Sequence, residues 1–225
     1  MTQKEYEQIE QYMLSLMKDS AHDRQHIYRV LYVALDIAKS EPSADTDILI
    51  TACLLHDIGR EKQFKNPSLC HAVEGAKMAY EYLISIGWSE EGAARVRDAV
   101  TTHRFRSNNE PQSIEAKILF DADKADAAGT LGIARTLMYR GNKEALLYSV
   151  GDNGKIIDGE NDRNNTFFNE YKFKLEKIYD RFYTKRGREI AEERRKSAVD
   201  FWNSLYGDIK GMHENGADLL KESLR

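Results

Sequence analysis

The stretch that most constrains this chain is Ile48-Leu49-Ile50-Thr51-Ala52-Cys53-Leu54-Leu55-His56-Asp57-Ile58-Gly59. It has no polar face, and it ends abruptly in an imidazole and a carboxylate. A segment that is apolar all the way round predicts a helix buried on every side. His56 and Asp57 are thereby carried inside, where burial is unfavourable unless a partner satisfies them. A divalent metal ion satisfies a neutral imidazole and a carboxylate together. The remaining residues are read for the ligands that would complete such a site.

The spacing predicts an all-α chain. Residues 3–18 form an amphipathic helix with Ile9, Met13, Leu16 and Met17 on one face. Asp23 caps a second helix reaching about Lys39, with the stripe Ile27, Val30, Leu31, Ala34 and Ile37. His26 points to the same interior edge. Asp45 or Thr46 starts the central helix and Gly59 stops it. Arg60 to Cys70 reads as a polar loop beside the His-Asp pair. His71 opens a helix to about Ile86, with Met78, Leu83 and Ile84 inside. Ser89, followed by Glu90 and Glu91, starts the next helix, which ends at an inward His103. Ser113 caps a helix carrying Asp121, Asp123 and Asp126. Asp123 shares a face with Ala116, Leu119 and Phe120, and Asp126 follows it inward. Asp121 has Lys117 one turn back and is expected nearer the surface. Residues 151–165 have turn chemistry and read as an exposed loop or lid. Two helices are expected over 166–184 and 185–206. Domain organisation is read as a single domain over 1–206 with a polar tail at 207–225.

Five of the six histidines fall within the first 103 residues. His26, His56 and His103 occupy inward positions, as do Asp57 and Asp123. A site of His26, His56, Asp57 and Asp123 draws one or two ligands from each of three helices, the usual construction of a metal site in an all-helical protein. Two neutral imidazoles and two carboxylates leave a divalent ion close to neutral, with positions open for water and a phosphate oxygen. A nitrogen and oxygen donor set without thiolate favours Mn²⁺, with Mg²⁺, Fe, Co²⁺ or Ni²⁺ as alternatives, over structural zinc. The net charge of −4 argues against a dedicated nucleic-acid binder. No apolar run is long enough to span a membrane. Two cysteines without an N-terminal signal core are read as reduced thiols, so a cytoplasmic location is expected.

The ordered set His26, His56-Asp57 and Asp123 resembles the H…HD…D signature of the HD-domain phosphohydrolase superfamily. Within it, the chain is most similar to the bacterial YpgQ/YedJ-like group. The likeness is carried by His22-Asp23-Arg24-Gln25-His26, Leu54-Leu55-His56-Asp57-Ile58-Gly59, His71 with Gly75-Ala76, Asp121-Ala122-Asp123-Lys124-Ala125-Asp126, and Thr184 through Arg194. It spans roughly residues 20–205. The resemblance implies a helical bundle with a metal site between central helices and hydrolysis of a phosphate ester or anhydride. The favoured substrate is a (deoxy)nucleoside triphosphate cleaved to monophosphate and pyrophosphate. The alternatives are a nucleoside 5'-monophosphate phosphatase or phosphodiesterase, or a non-catalytic nucleotide sensor.

Arg60, Lys62, Lys65, Arg104, Arg106 and Lys124 flank the ligands as candidates for neutralising phosphate. A solvated loop accounts for Arg60, Lys62 and Lys65 equally well. Some nucleotidases of the superfamily carry a Glu three residues after the HD Asp, where this chain has Arg60 and places Glu61 one further on. Either Glu61 acts as the catalytic acid/base, or Asp57 and the metal suffice. His71 and His103 stand where dinuclear members hold a second ion. Here they are expected to bind substrate or to support the ligands, together with Asp126. The expected partner is a small-molecule nucleotide, with the chain a monomer or homodimer.

Overall fold

The computed structural model describes residues 1–17, 24–104, 109–141 and 145–224. His22, Asp23 and Arg106 lie outside them. Among the described residues the regular structure is helical, and Val150 and Ile156 form an isolated β-bridge. The chain gathers into two compact units, residues 1–126 with 182–188, and residues 127–181 with 189–225.

The first unit is built from α1 (Gln3–Leu16), α2 (Arg24–Ala38), α3 (Thr46–Leu55), α4 (Arg60–Lys65), α5 (His71–Ser85), α6 (Glu90–Thr102) and α7 (Ile114–Asp126). Thr2 and Glu5 close a capping box at the start of α1, whose Ile9 and Met13 are buried. Asp45 caps α3 by accepting from the amides of Asp47 and Ile48. Leu49, Ala52, Cys53, Leu54 and Leu55 have no exposed surface, as expected of a helix without a polar face. Around α3 pack α1, α2, α5, α6 and α7. Arg95 ties three of these together: it donates to Asp45 at 3.0 Å and to the buried Glu115 at 2.9 Å. Glu115 in turn accepts from the Asp45 amide.

Three local expectations are corrected here. Residues 60–65 are helical, because the chain turns at 56–59 and restarts as α4. Gly59 has a right-handed φ of −81° and is no left-handed helix stop. It is small because a Cβ there would lie 2.2 Å from the His71 carbonyl and 2.5 Å from the Gly75 amide. Ile84 is 38% exposed, since α5 buries Ala72, Ala76, Ala79 and Leu83 on its i, i+3, i+4 stripe instead.

The second unit contains α8 (Gly129–Gly141), α9 (Phe167–Glu170) and most of α10 (Lys185–Ser223). Its core is aromatic. Tyr171 stacks on Trp202 at 4.2 Å, and Phe168 meets the same indole edge-on at 4.7 Å. The continuous helix expected over 166–184 is broken. A π-turn at Tyr171–Leu175 and a 3₁₀ turn at Ile178–Asp180 replace it after α9. The π-turn lets Phe167, Phe168, Tyr171 and Leu175 all enter one core. Conversely, α10 runs unbroken past residue 206, so 207–223 is helical. The segment read as an exposed loop or lid is exposed at 152–155, 160–161 and 163–165, but it is anchored between them. Asp162 is buried and accepts from the Thr166 hydroxyl at 2.8 Å, and Gly159 is buried as well.

Candidate metal centre

The first unit brings His26, His56, Asp57 and Asp123 to one place. His26 comes from α2, His56 and Asp57 from the turn after α3, and Asp123 from α7. His26 Nε2 lies 3.3 Å from His56 Nε2, 3.3 Å from Asp123 Oδ1 and 3.7 Å from Asp57 Oδ2. His56 Nε2 lies 3.8 Å from Asp57 Oδ2 and 3.9 Å from Asp123 Oδ1. The two histidines and Asp57 are buried. Asp123 keeps a quarter of its side chain exposed, so the cluster opens on that side.

His71 and His103 join from the first residue of α5 and the end of α6. Their Nε2 atoms lie 3.4 Å and 3.6 Å from Asp57 Oδ1. Asp57 therefore faces two groups with its two oxygens, and each group has donor atoms close enough to share an ion: His26, His56 and Asp123, and Asp57, His71 and His103.

All four imidazoles are turned the same way. His56 Nδ1 donates to the Cys53 carbonyl at 2.8 Å, and His103 Nδ1 to the Val100 carbonyl at 2.6 Å. Each is a histidine at a helix C-terminus bonded to the carbonyl three residues back. His26 Nδ1 donates to Asp126 Oδ2 at 2.7 Å. His71 Nδ1 faces Gln63 Oε1 at 2.7 Å. The amide of Gln63 is oriented by its own bond to the Leu69 carbonyl, and Arg104 Nη1 donates towards the same His71 nitrogen at 3.2 Å. With Nδ1 spent as donor, His26, His56 and His103 turn Nε2 to the centre, where each offers a lone pair to a metal ion when that nitrogen carries no proton. Asp57 Oδ1, His71 Nε2 and His103 Nε2 are buried without a hydrogen-bond partner. The Arg60 guanidinium is the cation beside Asp57 Oδ1, at 2.9 Å, and the two imidazole nitrogens face the same oxygen at 3.4 and 3.6 Å. The donor set fits a divalent ion, and neither group contains a cysteine.

Electrostatics follow from the same contacts. Burial opposes protonation of His26, but Asp123 and Asp126 outweigh it and raise its pKa to about 9. Burial lowers His56 to about 4 against the pull of Asp57. Burial, aided by Arg60, lowers His71 to about 3. Burial would raise Asp57, yet His56, Arg60 and His103 hold it well below the usual carboxylate range.

Asp126 is buried and held by Arg29, which donates to its two oxygens at 2.6 and 3.2 Å. Arg29 and Gln63 are site residues that sequence reasoning missed. Arg29 could have been found as the i+3 neighbour of His26 on α2, whereas nothing local marks Gln63. Arg60 Nε stands 2.9 Å from Asp57 Oδ1, and Arg104 Nη1 stands 3.2 Å from His71 Nδ1. Lys62 pairs with Glu74 at 3.0 Å, and Lys65 with Glu61 at 2.6 Å on the exposed face of α4. Lys124 lies over the Phe120 ring.

Asp121, expected nearer the surface, has no exposed surface. The segment 182–188 covers it. Asp121 accepts from the amides of Tyr183 and Thr184 and from the Thr184 hydroxyl at 2.7–3.1 Å. Its pKa is nevertheless raised, because burial outweighs these bonds.

A helical bundle whose histidines and aspartates meet in the order H…HD…D defines a class, and the sequence comparisons agree with it. The HD-domain family matches residues 24–128. The uncharacterized protein YpgQ of Bacillus subtilis is 35% identical over 215 residues, covering 93% of this chain and 96% of its own. The crystal structure of YpgQ in complex with ADP superposes with a TM-score of 0.70 at 31% identity, over 92% of this chain and 99% of that one. An HD-superfamily hydrolase from Bacillus thuringiensis gives a TM-score of 0.70 at 26% identity, over 92% and 97% of the two chains. A predicted HD-superfamily hydrolase from an uncultured Thermotogales bacterium gives a TM-score of 0.60 at 28% identity, over 92% of both. The chain belongs to the HD-domain superfamily of metal-dependent phosphohydrolases.

Proposed function

We propose that this chain hydrolyses nucleotides, and that its substrate is a (deoxy)nucleoside triphosphate cleaved to the monophosphate and pyrophosphate. The observation that carries the reading is the convergence of four imidazole Nε2 atoms on Asp57 and Asp123, beside the guanidinium groups of Arg60 and Arg104. His26, His56, Asp57 and Asp123 hold the first divalent ion, with Mn²⁺ favoured by the donor set. Asp57, His71 and His103 take up a second. When bound, the ion supplies Lewis-acid polarisation of a phosphoryl oxygen and lowers the pKa of water. The complex of the Bacillus subtilis relative with ADP supports a nucleotide ligand.

The chain's own residues have distinct parts in this reading. Asp57, kept ionised by its neighbours, would orient the attacking water beside the ion it holds. Asp126 and Arg29 keep His26 turned with Nε2 inward. Arg60 and Arg104 neutralise the phosphates as charge moves to the leaving group. Glu61, ion-paired to Lys65 with over half of its side chain exposed, takes no part.

The test is product analysis. Purified protein with Mn²⁺ is incubated with ribo- and deoxyribonucleoside mono- and triphosphates, and phosphate and pyrophosphate are assayed separately. Pyrophosphate plus monophosphate from triphosphates is the expected result. Phosphate released from monophosphates would move the assignment to a nucleotidase. Nucleotide-dependent thermal stabilisation without any product would move it to a sensor.

A further inference from the structure

We infer that Arg60 is the resident counter-ion of Asp57 and sets how strongly the centre takes up its second ion. The inference rests on the metal reading above.

The two candidate groups differ in the charge around them. The group of His26, His56 and Asp123 has Asp57 Oδ2 at its edge, and its anchoring carboxylate, Asp126, is matched by Arg29. An ion entering there meets two carboxylates. The group of Asp57, His71 and His103 has one carboxylate and is bordered by two guanidinium groups. Arg60 Nε is 2.9 Å from Asp57 Oδ1, and Arg104 Nη1 is 3.2 Å from His71 Nδ1. A divalent ion entering there meets one negative and two positive charges.

Asp57 Oδ1 is the contested atom. It faces Arg60, His71 Nε2 and His103 Nε2 together. A guanidinium in contact with Asp57 Oδ1 opposes the binding of a divalent ion at the same buried oxygen. Arg60 is placed to yield. It is the first residue of α4, and a third of its side chain is exposed. Rotation about its own side-chain bonds carries the guanidinium outward without moving the helix. Displaced, it stays at the rim where a substrate phosphate arrives. The centre thus binds its first ion tightly and its second weakly. Uptake of the second ion converts Arg60 from a partner of Asp57 into a partner for phosphate.

The experiment counts Mn²⁺ bound to the full-length chain by equilibrium dialysis. The spin-coupled signal of a close ion pair, followed by electron paramagnetic resonance, is a second readout. The wild type is expected to bind one ion tightly and a second at least about tenfold more weakly, and Arg60→Gln should tighten the second by at least about tenfold. Lys62→Gln removes the same charge two residues away, where Nζ pairs with Glu74, and should bind like the wild type. Arg60→Met serves if the Gln variant loses its helical circular dichroism. Identical stoichiometry and affinities in wild type and both Arg60 variants would overturn the inference while leaving the metal reading intact. Equal tightening in Lys62→Gln would overturn it too, as a general charge effect. No bound Mn²⁺ in any of them would overturn the metal reading itself, and the inference with it.

Discussion

His26 is where the charge of the centre is decided. In the metal-free protein its pKa is raised from 6.5 to about 9, so the native state binds this proton more tightly than the unfolded chain does. The resulting stability is fully present below pH 6.5 and is lost as pH rises through 9. Thermal unfolding in excess chelator should show that loss, and Asp126→Asn, which removes one of the two supporting carboxylates, should shrink it. Metal affinity should run the opposite way, because an ion must displace the proton from Nε2. Mn²⁺ binding should therefore strengthen with pH up to about 9 and release a proton below it, seen calorimetrically as a dependence on buffer ionisation heat. Substitution separates the roles of the carboxylates. Asp57→Asn and His56→Ala should abolish ion binding and turnover together in a protein that remains helical. Glu61→Gln should keep turnover within a few-fold, since its carboxylate pairs with Lys65. Asp126→Asn should lower metal affinity by about 10–100-fold through loss of the His26 anchor. Stoichiometric metal in purified Asp57→Asn would sink the ligand assignment.

Two glycines and one buried aspartate set how the elements meet. Gly59 allows α5 to close onto the turn after α3, which delivers His71 to Asp57. A Cβ at that position would overlap the His71 carbonyl and the Gly75 amide. Gly59→Ala should destabilise by about 1–3 kcal/mol and weaken the second Mn²⁺ more than the first, read from urea unfolding and metal titration. Gly187 has the same constraint against Asp121, whose Oδ2 would lie 2.3 Å from an added Cβ. Asp121 explains why no helix continues through 181–184. It takes the Tyr183 and Thr184 amides, which a continuing helix would direct to carbonyls four residues back. Asp121→Ala should leave those amides unsatisfied and cost about 2–4 kcal/mol. Chemical denaturation of Asp121→Ala and Gly187→Ala measures both effects.

For the whole molecule, ion binding is coupled to folding because the liganding geometry exists only in the native state. Chelation should lower the melting temperature, and Mn²⁺ at a hundredfold excess over Kd should restore about 2.7 kcal/mol. In the second unit, Trp202→Ala should cost about 3–5 kcal/mol, because its indole meets Phe168, Tyr171 and Tyr206. The amino-acid sequence by itself determined the helical class, the start and the complete burial of the central helix, and the convergence of His26, His56, Asp57 and Asp123. Those features are written in local periodicity and in the burial demanded by an apolar run that ends in His-Asp. Only the tertiary structure decided what depends on contacts between distant segments. It buried Asp121 beneath residues 182–188 and divided the helix expected over 166–184. It made Gly59 a point of close approach and set Arg29, Gln63 and Arg60 around the ligands. Periodicity reports which face of an element is apolar. It cannot report which distant segment covers a polar face, and that covering decides whether a charged residue is surface or site.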